Sequence, residues 1–109
     1  MAMTPEKKVK QKVAKLRKEA GAYYFFPATG GYGRSGVPDI VGCLEGNFFG
    51  IECKAGTNTT TALQERELLK ILESGGRAIV INEDKIDELK NDLLDPMSFH
   101  YLGEKIERD

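Results

Sequence analysis

The spacing of apolar residues changes along the chain, and each change predicts an element. After Thr4-Pro5-Glu6, the residues Val9, Val13, Leu16 and Ala20 recur at spacings of four, three and four, the period of one helix face. Thr4 suits an N-cap, Pro5 the first helical position and Glu6 the first turn, so a helix is expected to about Glu19, stopping near Gly21. Ala22 to Pro27 reads as a short aromatic strand. Residues 37–54 read as a hairpin of two apolar strands, with Gly46-Asn47 as its tight turn. Residues 55–60 form a polar loop. Thr61-Ala62-Leu63-Gln64 matches a capping box and opens a helix to about Ser74, with Leu68 and Leu72 inward and Gly75-Gly76 as the stop. Arg77 to Asn82 has the composition of a buried strand. Asp84 to Leu94 is expected as a last amphipathic helix, with Ile86, Leu89 and Leu93 inward. The order α-β-β-β-α-β-α predicts an α/β fold: a mixed sheet with helices on its faces and a parallel crossover into the strand at 77–82.

The hairpin holds three charges that an apolar strand does not welcome. Asp39, Glu52 and Lys54 alternate with Val, Ile and Cys, and charge placed there is costly without partners. With Gly46-Asn47 as the loop, Asp39 lies opposite Lys54 and Val41 opposite Glu52. Side chains alternate across a strand, so the two acids and the amine share one face, with neighbours roughly 5 Å apart and diagonals roughly 7–8 Å. Sliding the loop by one residue at both ends keeps this parity. The opposite face takes Ile40, Ile51 and Cys53. Two carboxylates at that spacing suit a hard divalent cation such as Mg²⁺ or Mn²⁺, and point to phosphodiester cleavage. The bland alternative is a cross-strand ion pair on a solvated face.

Composition narrows the classes. A chain of 109 residues has room for one domain, its core over about residues 4–94 and a tail over 95–109. It lacks a long apolar run and a signal-peptide-like segment, so an intracellular protein is expected. Cys43 and Cys53 fall on opposite faces of the hairpin and read as free buried thiols. The single histidine, His100, lies outside any cluster, which leaves no basis for a zinc site or a histidine-dependent triad.

The net charge of −1 argues against a nucleic-acid partner until its distribution is considered. Residues 1–20 hold seven basic residues (Lys7, Lys8, Lys10, Lys12, Lys15, Arg17, Lys18) against Glu6 and Glu19, while residues 83–109 hold nine acids against four bases. A local basic patch is what phosphates respond to, although a lysine-rich solvated helix face would look the same.

Three further features have two readings each. Glu6 lies on the inward stripe of the first helix, as a favourable charge at a helix N-terminus or as a member of the site. Gln64 shares the Leu68 stripe, as the capping-box residue or as a polar group aimed into the site. Thr29 to Gly36 is a glycine-rich loop with Tyr32, Arg34 and Ser35, either a closure over a phosphate backbone or a plain connection. It has neither P-loop nor dinucleotide-fingerprint spacing.

Taken in order, Gly36-Val37-Pro38-Asp39, Ile51-Glu52-Cys53-Lys54 and Gln64 in the following helix resemble the PD-(D/E)XK nuclease superfamily. The glycine-rich lead-in, the turn Gly46-Asn47-Phe48-Phe49-Gly50 and the later Gly75-Gly76-Arg77-Ala78 are similar to its VRR-NUC branch, the virus-type replication–repair nucleases, in stand-alone minimal form. The likeness runs from about Glu6 to Asn82.

The resemblance implies a restriction-endonuclease-like αβββαβ core and Mg²⁺- or Mn²⁺-dependent hydrolysis of DNA, leaving a 5′-phosphate and a 3′-hydroxyl. It implies metal-binding roles for Asp39, Glu52 and the Cys53 backbone carbonyl, with Glu6 as an additional acid. It implies catalytic roles for Lys54 and Gln64. Lys7, Lys8, Lys10, Lys12, Arg34 and Ser35 are then the expected DNA contacts. Stand-alone members this short resemble Holliday-junction resolvases that work as homodimers, and the C-terminal helix or the aromatic strand could form the interface. The alternatives are a flap- or nick-directed nuclease, a sequence-specific restriction enzyme, and a non-catalytic DNA-binding or assembly module on the same fold. The complete set Asp39, Glu52 and Lys54 argues for the enzyme.

Overall fold

A computed structural model describes residues 3–28, 34–87 and 89. Helix α1 spans Pro5–Glu19, with the Thr4 hydroxyl accepting from Lys7 N as the N-cap. Strands β1 (Tyr23–Phe25), β2 (Ile40–Leu44) and β3 (Asn47–Cys53) follow, then helix α2 (Ala62–Glu73) and strand β4 (Arg77–Ile81). The sheet runs β1-β2-β3-β4, antiparallel in its first two pairings and parallel between β3 and β4. The predicted order therefore holds from α1 through β4. At the expected start of the last helix the chain first forms a 3₁₀ turn, Glu83–Lys85. Leu89 is fully buried and Ile86 packs beside it, as the apolar spacing required, while Leu93 and His100 lie outside the described residues.

The two helices cover opposite faces of the sheet. On one face Val9, Val13 and Ala14 of α1 pack on Ile40, Leu44, Phe49, Ile51, Cys53, Ile79 and Ile81. On the other, Leu68 of α2 meets Ala78 and Val80, with Leu69 and Leu72 beside them. β4 alternates between the two clusters, and all five of its residues are buried. This double cover is why charges in β3 have little access to water. Gly50 shows how closely α2 sits: a Cβ there would lie 2.5 Å from Ile71 Cδ1 and 2.9 Å from Pro38 Cγ.

The hairpin turn differs from the expected one by a residue. Its loop is Glu45-Gly46, and Leu44 pairs with Asn47. Both loop residues have positive φ, 51° and 85°, as a type I′ turn demands. That turn favours glycine in its second position, where Gly46 sits, and the Gly46-Asn47 alternative would place it first. Within the paired strands face parity survives the shift, but the partners change; Asp39 lies before β2 begins and lines a cavity with Glu6, Lys7 and Lys10 of α1. Continuing from Ile40 opposite Ile51, Asp39 comes level with Glu52 and not with Lys54. Cys43 and Cys53 are free thiols on opposite faces; Cys53 is buried and Cys43 only half-buried.

A candidate two-carboxylate site

Asp39 sits one residue before β2, on the strap Gly36-Val37-Pro38. Gly36 has φ 81° and presses on α2, where an added Cβ would lie 2.6 Å from the Leu63 carbonyl. The strap is thus wedged against the first turn of α2, which places the next side chain at the end of β3. The Lys54 N–H turns to β4, donating to Ile81 O at 2.9 Å, so the Cys53 N–H turns to the β2 side. β2 ends there, and Asp39 Oδ2 accepts that N–H at 2.8 Å. In a strand the carbonyl points the same way as its own N–H, which directs the Cys53 carbonyl past the end of β2, beside Asp39.

Glu52 and Lys54 share the α2 face. Glu52 is 4 % exposed and Lys54 8 %. Lys54 Nζ stands 3.7 Å from Glu52 Oε2. Gln64 donates its Nε2 to the same oxygen at 3.1 Å, while its Oε1 accepts from Thr61 N at 2.9 Å. Both readings of Gln64 hold together: the amide caps α2 with one end and reaches the buried acid with the other.

Burial first, and then the neighbouring Asp39 charge, push the Glu52 carboxyl up to about 8 against the opposing charge of Lys54. Two acids crowded against one amine in a dry place create a demand for positive charge. Burial, with the charges of Asp39 and Glu52, also raises the Cys53 thiol far above its usual range, so it stays protonated and inert.

On the α1 side, Glu6, Lys7, Lys10 and Asp39 line a cavity of about 230 Å³. Asn58, in the loop after β3, donates to Glu6 Oε2 at 3.1 Å. Nothing in the helix or strand periodicity singles out Asn58. A larger apolar groove of about 440 Å³, lined by Phe25, Val41, Phe48 and Ile71, contains none of Glu6, Asp39, Glu52 or Lys54.

Among the described residues, no three His, Cys, Asp or Glu side chains gather into a metal-enclosing group. Asp39 and Glu52 nevertheless fit a divalent cation of the Mg²⁺ type, which uses one or two carboxylates and keeps several waters. Glu6 reaches the wall of the Asp39 cavity from α1.

The expected DNA contacts separate into groups. Lys7 and Lys10 stand at the cavity, Lys10 also lying 4.8 Å from the Phe26 ring centroid. Lys8, Lys12 and Ser35 are exposed. Arg34 is exposed but bonded to Glu67 Oε2 at 2.9 Å. Arg17 does not belong to the basic surface at all. It is 1 % exposed, with its guanidinium 4.5 Å from the Phe49 ring centroid. Its position four residues after Val13 already put it on the inward stripe.

Residues 6–79 match the family model of the archaeal Holliday junction resolvase (Hjc), well over half of the chain. No curated protein matches at a significant level. The matched span includes Glu6, Asp39, Glu52, Lys54 and Gln64. With the mixed sheet between two helices and the paired carboxylates at the end of β3, the chain belongs to the archaeal Holliday junction resolvase family of PD-(D/E)XK nucleases, divalent-metal-dependent and structure-selective on DNA.

Proposed function

We propose that the chain is an intracellular resolvase of four-way DNA junctions, of the VRR-NUC type, acting as a homodimer with Mg²⁺ or Mn²⁺ held by Asp39, Glu52 and the Cys53 carbonyl. The observation that carries the reading is Asp39, anchored on Cys53 N, beside the buried Glu52, with Lys54 and Gln64 both on Glu52. When bound, the cation neutralises the scissile phosphate and makes water more acidic.

The chain's own residues do the rest. Asp39 is anchored through Cys53 N, so its second oxygen can serve as a ligand without losing position. Gln64 orients Glu52 from the start of α2. Lys54, with Nζ 3.7 Å from Glu52 Oε2, places a compact positive charge beside the phosphate oxygens or the attacking water. Glu6 orders water at the cavity mouth. Lys7 and Lys10 hold the flanking backbone, and Lys8, Lys12, Arg34 and Ser35 extend that contact, all reading phosphate and not base edges.

The dimer reading is supported by edge strand β1, whose outer side pairs with no other strand among the described residues and where Tyr23 is 72 % exposed and Phe25 50 % exposed. A second copy would set a second site on the opposing strand of a junction. The test is cleavage of labelled four-way junction, flap, nicked and linear duplex in Mg²⁺ and in Mn²⁺, with the protein sized in solution. Junction cleavage that disappears in Asp39→Asn and Lys54→Ala is expected. Persistence of cleavage in either variant would overturn the site, and preference for flap or nicked DNA would overturn the substrate.

A further inference from the structure

The segment from Asn58 to Gln64 carries a side-chain amide at each end, and each amide engages a different carboxylate. Gln64 donates to Glu52 Oε2 at 3.1 Å, and Asn58 donates to Glu6 Oε2 at 3.1 Å. Glu6 is on α1 and Glu52 on β3, so one connection ties both acids to the start of α2.

The segment is itself held in place. Its entry is a turn in which Asn58 N donates to Ala55 O at 3.1 Å, with Gly56 at φ 60°. Gly56 N donates to Glu83 Oε1 at 2.9 Å. At the exit, Thr60 Oγ1 donates to Glu65 Oε2 at 2.8 Å, and Thr61 and Gln64 complete the capping box. An exposed asparagine on a loose loop would hold nothing. This one is fixed before and after, by the 3₁₀ turn following β4 and by the first turn of α2.

We propose that Asn58 is a positioning residue of the nuclease site, holding the Glu6 carboxylate at the wall of the Asp39 cavity. Without it, Glu6 is a first-turn side chain free to swing into solvent. With it, one Glu6 oxygen is engaged and the carboxylate keeps its other oxygen for the hydration shell of a cation at Asp39 and Glu52. Such outer partners of a metal site typically matter by 10–100-fold in affinity. The inference rests on the metal-site reading above.

The test is calorimetric titration of the full chain with Mn²⁺, without DNA. Asn58→Ala is expected to weaken Mn²⁺ binding about 10-fold, Glu6→Gln to weaken it similarly, and the double variant to bind no worse than either single one, because both changes remove one interaction. Asn58→Gln, which keeps an amide donor, is expected to recover most of the affinity. The metal-free melting temperature should not move, since a bond this exposed adds little to the fold. Parent-like affinity in Asn58→Ala, or additive losses in the double variant, would overturn the role of Asn58 alone. No Mn²⁺ binding by the parent chain would overturn the metal site and this inference with it.

Discussion

Gln64 donates to the Glu52 carboxylate from the first turn of α2 while accepting the backbone N–H of Thr61, so one amide closes a helix and orients a buried acid. The two jobs separate by substitution. Gln64→Ala loses both bonds and should cost about 1 kcal/mol of stability, a usual capping loss, together with most of the cleavage. Gln64→Glu keeps an acceptor for Thr61 but replaces the amide that donates to Glu52 with an acid. It should retain more of the stability than alanine and still lose cleavage. Denaturant unfolding beside a junction-cleavage assay checks both.

Asp39 has a comparable double duty. Asparagine in its place still offers an oxygen to Cys53 N but no charge to a cation. Asp39→Asn should fold as the parent does and bind no Mn²⁺. Asp39→Ala leaves a buried N–H without a partner, at about 1–3 kcal/mol. Its melting temperature should fall well below that of Asp39→Asn.

The raised Glu52 carboxyl makes stability depend on pH. Between the ordinary value of 4.5 and about 8, the folded chain keeps a proton that the unfolded chain has lost. Metal-free stability should therefore be greatest below that window and decline as pH rises through it, by on the order of a few kcal/mol. Glu52→Gln should flatten the dependence. Saturating Mg²⁺ should restore stability at the alkaline end, because the cation takes the proton's place. Urea unfolding in EDTA across pH 5 to 8.5, repeated with Mg²⁺, measures both effects.

Lysine and arginine on α1 should respond differently to change. Replacing Lys10 with Gln removes a charge at the cavity mouth. It should weaken junction binding and lower the slope of log affinity against log salt by about 1. Arg17→Leu should leave that slope unchanged and lower the melting temperature, since its guanidinium stacks inside the fold on Phe49. Binding isotherms at several salt concentrations separate the two.

Much of this arrangement was legible in the chain, for identifiable reasons. Strand parity grouped Glu52 with Lys54 and set Cys53 on the other face, because a period of two survives a shift of the whole loop. The partner of Asp39 was not legible, because it depends on which side of Gly46 the turn falls, and only the positive φ of Glu45 decides that. Helix spacing aimed Glu6 and Gln64 inward. Arg17 was counted with the surface bases for its charge, although it falls four residues after Val13; a long side chain can bury its stem and stack its head where a ring such as Phe49 is available. Asn58 gave no signal, since a loop has no period and the contact with Glu6 bridges residues far apart in the chain.

The bond from Cys53 N to Asp39 has a spectroscopic consequence. That amide proton sits on the carboxylate proposed to meet the cation, and its neighbour in the chain is the other ligand, Glu52. Its NMR chemical shift should follow cation loading directly, and its exchange with solvent should slow once the cation closes the end of the sheet. One backbone resonance would then report occupancy of the site in solution, with no substrate and no label beyond ¹⁵N.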